Sequence, residues 1–382
     1  MRICLVTHCF PHNDQDVNGN WIPQFVRLLI QRGHRVSVLT PRMDLGDGSI
    51  PKADWPFGVR YFKWLGGKRR LGQLKFINPI DAMALVSLLC RGRIELEKLI
   101  GEHEIDLCLG VWAIPNGYFC LKAKQRLGTP YAVWTLGSDI NVYGGKIFFG
   151  KVVADVLRNA DHLFANSNQL VNRIGGLTGK ACGFMPTTRT LPEGLGPRLS
   201  LDETAANCLF VGRLERVKGI DLLVEAMVGL LRKGRRAFLY VLGDGSLRSD
   251  LMNRVRREGL EHNVVFTGWA DPDAVAAYLK ACDVLVVPSR SEGMPVVYWE
   301  AMQAGRPVIV TDVGDMADYT RRFQVGKVVP TEDTAGLRQA LEEYMDGLVS
   351  IDREGIRKLA RESSLESAVE TFLTVVIGNV RS

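Results

Sequence analysis

Short apolar runs alternate with helical patterns along most of this 382-residue chain. In the first half, the apolar runs predict strands at 2–7, 35–40, 106–111, 130–135 and 162–165. Helical patterns lie between them, near 22–32, 81–100, 116–126, 148–158 and 167–175. Uniformly apolar strands that alternate with helices are typical of a parallel sheet with right-handed crossovers and helices on both faces. The pattern therefore predicts an α/β fold with a doubly wound sheet.

A second series of the same kind follows a stretch rich in proline and glycine, Pro186 to Pro197. Its predicted strands are 208–211, 237–242, 263–267, 283–287 and 307–310. We place a hinge near 186–206. The last apolar pattern, from Leu365 to Val376, predicts a C-terminal helix. The expected organisation is two domains and a terminal helix, at 1–195, 205–362 and 363–382.

Two carboxylates, Glu292 and Glu300, lie on either side of a predicted helix start in the second series. The apolar run from Cys282 to Pro288 predicts a buried strand, and Glu292 follows it in a turn. Ligands of open α/β sheets bind at this carboxyl end. Pro295 suits the first helical position because it lacks the N–H that would have no intrahelical partner.

The predicted helix start has the chemistry of a phosphate site, because free amides and the positive end of the helix dipole favour an anion. The acids beside it can accept hydrogen bonds from sugar hydroxyls. The residues predicted here to contact a phosphate-bearing sugar ligand are Gly293, Met294, Val296, Val297 and Glu300. Taken alone, the two acids have an equally good structural explanation, in which Glu292 is an ordinary helix-start acid and Glu300 is a solvated or salt-bridged residue.

Two cations, Arg213 and Lys218, follow the first strand of the second series in a loop that glycine flanks on both sides, Gly212 to Gly219. Cations at a strand end can close on a diphosphate and neutralise the charge that develops when a nucleoside diphosphate leaves. Loop cations alone are usually only solvated. Together with the acid-flanked helix start, they predict a nucleotide-sugar site.

With these motifs the chain resembles the retaining glycosyltransferases of family 4, which share the GT-B fold with glycogen synthase. Gly-Arg followed by Lys-Gly, and Glu-x7-Glu, are the principal marks of that family. Weaker marks are Phe10-Pro11, Gly19, Gly33-His34-Arg35-Val36, Gly137-Ser138-Asp139, Ala160-Asp161 and Gly243-Asp244-Gly245. The resemblance implies two doubly wound Rossmann-like domains that face a central cleft, the first binding the acceptor and the second the nucleotide sugar. It also implies that the C-terminal helix, 363–382, returns to the N-terminal domain.

The resemblance also implies roles for the site residues. Arg213 and Lys218 would bind the donor diphosphate, Glu300 the ribose hydroxyls, and Glu292 the hydroxyls of the transferred sugar. Two glycines, Gly19 and Gly212, would join the donor contacts. The acceptor would enter from the N-terminal domain, past Trp112, Asn116 and Asp139. The leaving diphosphate would itself take the acceptor proton, so the resemblance implies no protein nucleophile, no metal and no cofactor beyond the nucleotide sugar as co-substrate.

Some family positions differ here. Val111 and Leu136 stand where many members have histidine, and no histidine remains as an obvious acid or base. The paired N-terminal glycines are reduced to Asn18-Gly19-Asn20, and Pro186-Thr187-Thr188 replaces the usual Asn-Gly-Val-Asp. These differences concern the sugar and the acceptor, whereas the diphosphate motifs are intact.

Composition agrees with an ordinary globular protein of two or three domains, with 46% hydrophobic and 24% charged residues. The eight cysteines show no CxxC spacing, which favours buried free thiols and a reducing cytoplasm. Met1 to Thr7 is too short for an export signal, and Ala82 to Cys90 is too short to span a bilayer. Two Asp-x-Asp pairs, at 14–16 and 271–273, lack further ligands, so no metal site is expected.

Charge is uneven along the chain. Residues 1–195 carry 24 Lys and Arg against 15 Asp and Glu, and the remainder carries 24 against 27. In the densest patch, Lys63 to Phe76, cations alternate with large apolar groups. An anionic membrane surface attracts such a segment by about 1 kcal/mol per cation, although a solvated basic loop fits equally well. Nucleic acid is disfavoured, because no aromatic stacking platform accompanies the charge.

The sequence thus predicts a metal-independent, retaining hexosyltransferase that moves a sugar from a nucleoside-diphosphate sugar to an acceptor hydroxyl. A lipid-linked or saccharide acceptor of cell-surface polysaccharide or glycolipid biosynthesis is favoured, with the protein cytoplasmic or peripheral on the inner face of the membrane. Two alternatives stay open. A GT-B epimerase or hydrolase would need a water-activating group, and a non-catalytic nucleotide-sugar-binding protein would fit the missing histidines.

Overall fold

The computed structural model describes residues 1–11, 19–42, 55–67, 74, 78–137, 139–140, 147–192, 199 and 201–378. Contacts divide the chain into two compact units. The first comprises Met1–Pro186 with Ala368–Ser382, and the second comprises Thr187–Ser367. Each unit is built around one parallel sheet.

The described part of the first unit contains a seven-stranded parallel sheet. Its strands are β1 (Arg2–Val6), β2 (Arg35–Pro41), β3 (Gly58–Phe62), β4 (Leu107–Val111), β5 (Tyr131–Thr135), β6 (His162–Ala165) and β7 (Gly183–Phe184). They lie in the order β3-β2-β1-β4-β5-β6-β7. The chain runs outward in one direction to β3 and then in the other from β4. Residues that follow β1 and β4 therefore meet at a switch point, where open α/β sheets form their ligand crevice.

Helices cover this sheet because their apolar stripes face it. They are α1 (Trp21–Gln31), α2 (Pro79–His103), α3 (Tyr118–Leu127), α4 (Ile147–Asn159) and α5 (Asn168–Thr178). Local chemistry fixes two of the starts. Asn78 caps α2 by accepting from the Ile80 amide, and Ser167 caps α5 by accepting from the Leu170 amide. Trp134 and Phe164 are fully buried in the sheet.

The second unit repeats the architecture with six parallel strands in its described part. They are β8 (Ala206–Val211), β9 (Ala237–Leu242), β10 (Val264–Gly268), β11 (Val284–Val287), β12 (Val308–Thr311) and β13 (Gly326–Val329), in the order β10-β9-β8-β11-β12-β13. The helices are α6 (Ile220–Arg232), α7 (Arg248–Arg257), α8 (Pro272–Ala281), α9 (Val296–Gln303), α10 (Gly314–Arg322), α11 (Thr334–Met345) and α12 (Arg353–Glu362). Here the switch point lies between β8 and β11.

The last helix, α13, spans Leu365–Gly378 and belongs to the first unit from Ala368 onward. Its Phe372 is fully buried and packs against Phe25 of α1 and Phe164 of β6, with ring centroids 5.9 and 5.6 Å apart.

The predicted α/β fold with two Rossmann-like parallel sheets is confirmed. Three strands, β3, β7 and β13, were not predicted. Each lies at a sheet edge and is only partly buried, so none carries the uniformly apolar run that marks an inner strand. The basic patch at Lys63 to Phe76 lies largely outside the described residues, as does the first Asp-x-Asp pair at 14–16. Asp271 of the second pair caps α8 by accepting from the Ala274 amide.

Candidate functional site

The loop after β8 and the turn after β11 are locked together at the switch point of the second sheet. Gly219, which closes the Arg213–Lys218 loop, has φ +67°, and a Cβ on it would lie 1.9 Å from the Pro288 carbonyl oxygen. Only glycine fits so close an approach at positive φ. The Arg290 amide also donates to the Val217 carbonyl over 2.8 Å. The two predicted donor motifs are therefore adjacent.

The start of the Arg213–Lys218 loop is also packed closely against the end of β9. Gly243 has φ +142°, and a Cβ there would lie 1.9 Å from the Gly212 carbonyl oxygen. The Leu214 amide donates to the Asp244 carbonyl over 2.9 Å. Gly243 and Asp244, a weak mark in the sequence, thus support the backbone that carries Arg213.

Lys218 and Glu292 form an ion pair across the two motifs, with 22% and 15% of their side chains exposed. Ser289 donates its hydroxyl to the same carboxylate over 3.4 Å. Sequence reasoning gave the cation to the diphosphate and the acid to the sugar, and the structure places them in contact. Arg213 is exposed in the same loop. The Lys218–Glu292 pair is therefore partly desolvated, so its electrostatic interaction is stronger than in water.

The turn that carries Glu292 is held from behind by α10. Gly314 has φ +58°, and a Cβ on it would lie 2.5 Å from the Glu292 carbonyl oxygen and 2.3 Å from that of Gly293. Met294 is buried, with 4% of its surface exposed, and anchors the same turn. This close packing fixes the backbone that leads into α9.

Helix α9 begins one residue later than predicted. Pro295 has an extended backbone, with φ −73° and ψ 140°, so it is the N-cap residue and Val296 is the first helical residue. Pro295 carries no side-chain cap hydrogen bond, and the first amides of a helix have no intrahelical acceptor. The amides that follow, from Val296 and Val297, thus face the switch point with the positive helix end.

Glu300, the second acid, lies inside α9 with 2% of its surface exposed and forms an ion pair with Arg189. The Arg189 side chain is itself 9% exposed. Gln303, one turn on, donates to the Arg189 carbonyl over 3.0 Å and accepts from the Leu191 amide over 3.1 Å. The segment after Pro186 is thereby tied to α9.

Arg189 was not predicted from the sequence. It stands in the segment that departs from the family's Asn-Gly-Val-Asp, and a lone cation there gives no periodic or motif signal. Only the fold shows that it meets Glu300, 111 residues away in sequence.

The predicted acceptor-side residues converge at the switch point of the first sheet. Trp112 follows β4 with φ +73°, a conformation that non-glycine residues rarely adopt, and an irregular turn, Ala113–Gly117, leads into α3. Asn116 and Asp139 are fully buried. Their side chains therefore lie inside the loops that carry Trp112, and of the three only the Trp112 side chain is partly exposed.

Asp139 binds three backbone amides. It accepts from Ala113 over 2.8 Å, from Gly137 over 3.1 Å and from Ile140 over 3.2 Å. It therefore joins the loop after β5 to the turn after β4. Gly19, predicted as a donor contact, lies beside the end of β1: a Cβ on it would be 2.0 Å from the Cys9 carbonyl oxygen.

The structure also brings a histidine to this edge. His8 follows β1, and its ring lies 4.5 Å from the Trp112 ring, centroid to centroid. The sequence showed no histidine as an obvious acid or base, and His8 was not singled out there. The available signal was its position after the first predicted strand, because residues at the carboxyl ends of parallel strands gather at one edge.

Burial raises the pKa of Asp139 from 3.8 to about 6, although its backbone hydrogen bonds act to lower the pKa. Between these two values the folded protein keeps a proton that the unfolded chain releases. The stabilisation due to Asp139 is therefore present near pH 4 and is lost as the pH rises through about 6. We expect the free energy of unfolding of the wild type, relative to Asp139→Asn, to be larger at pH 4.5 than at pH 7. Urea unfolding of both proteins measures this difference in free energy. A difference that is the same at pH 4.5 and pH 7 would contradict a raised pKa of Asp139.

Within the described ranges, no group of three histidine, cysteine or acidic side chains could hold a metal ion. In the same part of the chain, no helix has the length and apolar character needed to cross a bilayer.

Two family models match the chain, and together they cover both units. The model described as glycosyl transferase 4-like domain matches residues 21–181, and the model described as glycosyl transferases group 1 matches residues 205–346. The chain is also 30% identical over 286 residues to the putative teichuronic acid biosynthesis glycosyltransferase TuaC of Bacillus subtilis. That alignment covers 72% of this chain and 68% of TuaC.

Solved structures share the fold. Sucrose-phosphate synthase from Thermosynechococcus elongatus matches with a TM-score of 0.78 and 20% identity, over 100% of this chain and 99% of that one. Anabaena HepE, solved in complex with UDP, matches with a TM-score of 0.70 and 17% identity, over 99% of this chain and 100% of HepE. Similarity at these identities shows the fold alone.

Proposed function

Because this chain belongs to the group 1 glycosyltransferases, of family 4 type with the GT-B fold, we propose that it moves a sugar from a nucleoside-diphosphate sugar to an acceptor hydroxyl with retention at the anomeric carbon. The observation that carries this proposal is the contact between the Arg213–Lys218 loop and the turn before α9. A cationic loop and free helix amides at one switch point suit a diphosphate. HepE, of the same fold, was solved with UDP.

Each residue has a role in this reaction. Arg213, Lys218 and the α9 amides neutralise the leaving diphosphate, while Glu300 accepts hydrogen bonds from the ribose hydroxyls. Glu292 stabilises the positive charge that develops at the anomeric carbon. The diphosphate takes the acceptor proton on the face from which it leaves, so the configuration is kept.

The test is a screen of nucleotide sugars by thermal shift, followed by proton NMR of the product. Donor binding raises the melting temperature by mass action. We expect a stabilising donor and a product with the anomeric configuration of that donor. An inverted product would contradict retention. Turnover of donor without acceptor, to an epimer or a free sugar beyond slow background hydrolysis, would favour the alternative activities.

We expect transfer to continue in excess chelator, because Arg213, Lys218 and the helix amides supply the positive charge that a divalent ion would otherwise provide. The measurement compares initial rates with and without EDTA in protein that has been dialysed against chelator. A rate lost in EDTA and restored by magnesium or manganese would contradict it.

We further propose that the acceptor is a lipid-linked or saccharide precursor of a cell-surface polymer, and that the protein acts peripherally on the cytoplasmic face of the membrane. An exposed apolar face supports this proposal. On α2, Ile80, Met83 and Val86 are 68%, 62% and 59% exposed, and Leu65 in the preceding segment is 71% exposed. The cations Lys68, Arg69 and Arg70 lie between Leu65 and α2 in sequence.

Replacing Lys68, Arg69 and Arg70 with serine should weaken binding to phosphatidylserine vesicles by about 3 kcal/mol at low salt, and by less at high salt. Vesicle sedimentation measures it. The matched control replaces Arg357, Lys358 and Arg361 of α12, which are at least half exposed and carry the same charge. If both triple variants sediment like the wild type, the membrane proposal fails.

A further inference from the structure

Two partly exposed rings, His8 and Trp112, stand together at the switch point of the first sheet. His8 follows β1 and Trp112 follows β4, the neighbouring strands at which the strand order reverses. The ring planes are inclined by 51°, with centroids 4.5 Å apart. A crevice at this point of an open α/β sheet is where a ligand binds. The mechanism above uses neither ring.

Asn116 fixes the tautomer of His8. Its Nδ2 lies 2.5 Å from the Val111 carbonyl oxygen and 2.9 Å from His8 Nδ1. A carbonyl oxygen can only accept, so the Val111 contact sets the orientation of the amide. The second N–H of Asn116 then points at His8 Nδ1, which must accept. The proton of the neutral ring therefore resides on Nε2.

The ring also stays neutral. Burial lowers the pKa of His8 to about 4. The acid on the loop after β5, Asp139, is occupied by three backbone amides. Protonation would further place a proton on Nδ1 against the Asn116 donor. His8 is thus a fixed hydrogen-bond donor through Nε2–H and is unsuited to be a general base.

Trp112 complements this donor with an apolar surface. Its φ of +73° is a strained conformation for a bulky residue. Strain of this kind costs about 1–3 kcal/mol, and it persists where the surroundings impose it, often at a ligand site. Asp139 and Asn116 impose it here from the buried side. The negative face of an indole ring suits the C–H groups of a sugar ring.

We propose that His8 is a contact residue for the acceptor, donating its Nε2–H to an acceptor hydroxyl while Trp112 packs against the acceptor sugar ring. This inference rests on the proposed transfer reaction. It gives the acceptor side the histidine that Val111 and Leu136 do not provide. It also agrees with a reaction in which the diphosphate removes the acceptor proton, since a neutral donor can orient the hydroxyl without competing for that proton.

The first experiment tests the tautomer in the protein alone. The protein is labelled with ¹⁵N-histidine, and the His8 signal is assigned by its loss in His8→Gln. We expect ring nitrogen shifts of a neutral Nε2–H tautomer from pH 5.5 to pH 8. A ring that titrates near pH 6.5, or that carries its proton on Nδ1, would overturn the proposal whether or not the protein is a transferase.

The second experiment uses two matched variants. The amide of His8→Gln reaches the position of Nε2 and keeps a donor there, whereas the amide of His8→Asn reaches only the position of Nδ1. With the donor chosen by the thermal-shift screen and octyl glycosides as acceptors, His8→Asn should raise the acceptor KM roughly 10-fold, as expected for one lost hydrogen bond. His8→Gln should stay within about 3-fold of the wild type, with the donor KM unchanged in both.

The outcomes separate the two proposals. An active wild type whose acceptor KM is unchanged in His8→Asn would overturn the role of His8 and leave the transfer reaction intact. A wild type that binds no donor and transfers to no acceptor would overturn the proposed function, while the NMR result would still decide the state of His8. Thermal unfolding of both variants verifies that they fold.

Discussion

Turnover should fall by about 100-fold or more when Arg213 and Lys218 are both replaced by alanine, because charge stabilisation at a departing group is usually the largest catalytic contribution. Both cations lie in the loop that Gly219 and Gly243 hold against the ends of β11 and β9. The backbone that carries them is therefore held in place before the donor arrives. The measurement is kcat with saturating donor and acceptor.

The contact between Lys218 and Glu292 requires a further variant. Lys218→Ala alone leaves the partly buried Glu292 carboxylate without its cation. The unpaired carboxylate would then repel the diphosphate, even if Lys218 made no contact with the phosphate. If Lys218 serves only to neutralise Glu292, then Lys218→Ala combined with Glu292→Gln should restore donor binding. We expect no restoration, because in the proposed reaction Lys218 also binds the phosphate. Donor Kd from thermal shift distinguishes the two cases.

Arg216→Ala is the matched control for this series. Arg216 is an exposed cation of the same loop, and its hydrogen bond to Arg290 uses its backbone carbonyl. Loss of the Arg216 side chain should change kcat less than 3-fold. Near-normal turnover of the Arg213/Lys218 double variant, with Arg216→Ala also normal, would place the diphosphate elsewhere.

The sequence predicted the inner strands of both sheets because a strand buried on both faces must be apolar throughout. In β4, β5, β11 and β12 every residue is buried. The predicted donor motifs stand out in the sequence because the Gly212–Gly219 loop follows β8 and Gly293 lies in the turn between β11 and α9. Edge strands such as β3 escaped prediction because a half-buried strand mixes polar and apolar residues.

Partners brought together by the fold could not be predicted. His8 and Asn116 are 108 residues apart in sequence, and the Arg189–Glu300 pair joins residues 111 apart. Neither pair leaves a periodic trace. Similarly, the burial of Asn116 and Asp139 depends on how the turn after β4 closes, which a motif does not specify. The motifs therefore predicted a candidate site, and the structure supplied the contacts among its residues.

Removing either member of the Arg189–Glu300 pair should destabilise the second unit by about 3–5 kcal/mol, because it leaves a buried charge without its counterion. The two side chains are only 9% and 2% exposed. Arg189→Leu leaves the carboxylate unpaired, and Glu300→Gln leaves the guanidinium unpaired. The Arg189→Leu/Glu300→Gln double variant buries neither charge and should recover most of the loss. Urea unfolding, followed by fluorescence, provides the double-mutant cycle.

An exposed pair is the matched control. Arg321 and Asp312 are each about half exposed, so Arg321→Leu should cost less than about 1 kcal/mol. If Arg189→Leu lowers the free energy of unfolding by no more than Arg321→Leu does, the buried pair does not hold the segment after Pro186 to α9.

The kinetics of the same variants test the ribose contact. A carboxylate has about four acceptor positions, so Glu300 can keep Arg189 and still accept from the ribose hydroxyls. Because the ribose does not change during the reaction, its contacts act equally on ground state and transition state. Glu300→Gln should therefore raise the donor KM and leave kcat nearly unchanged. Arg189→Leu should raise the donor KM by a smaller factor and also leave kcat nearly unchanged, since Arg189 acts only by orienting the Glu300 carboxylate. A fall in kcat with an unchanged KM would instead place Glu300 beside the reacting sugar.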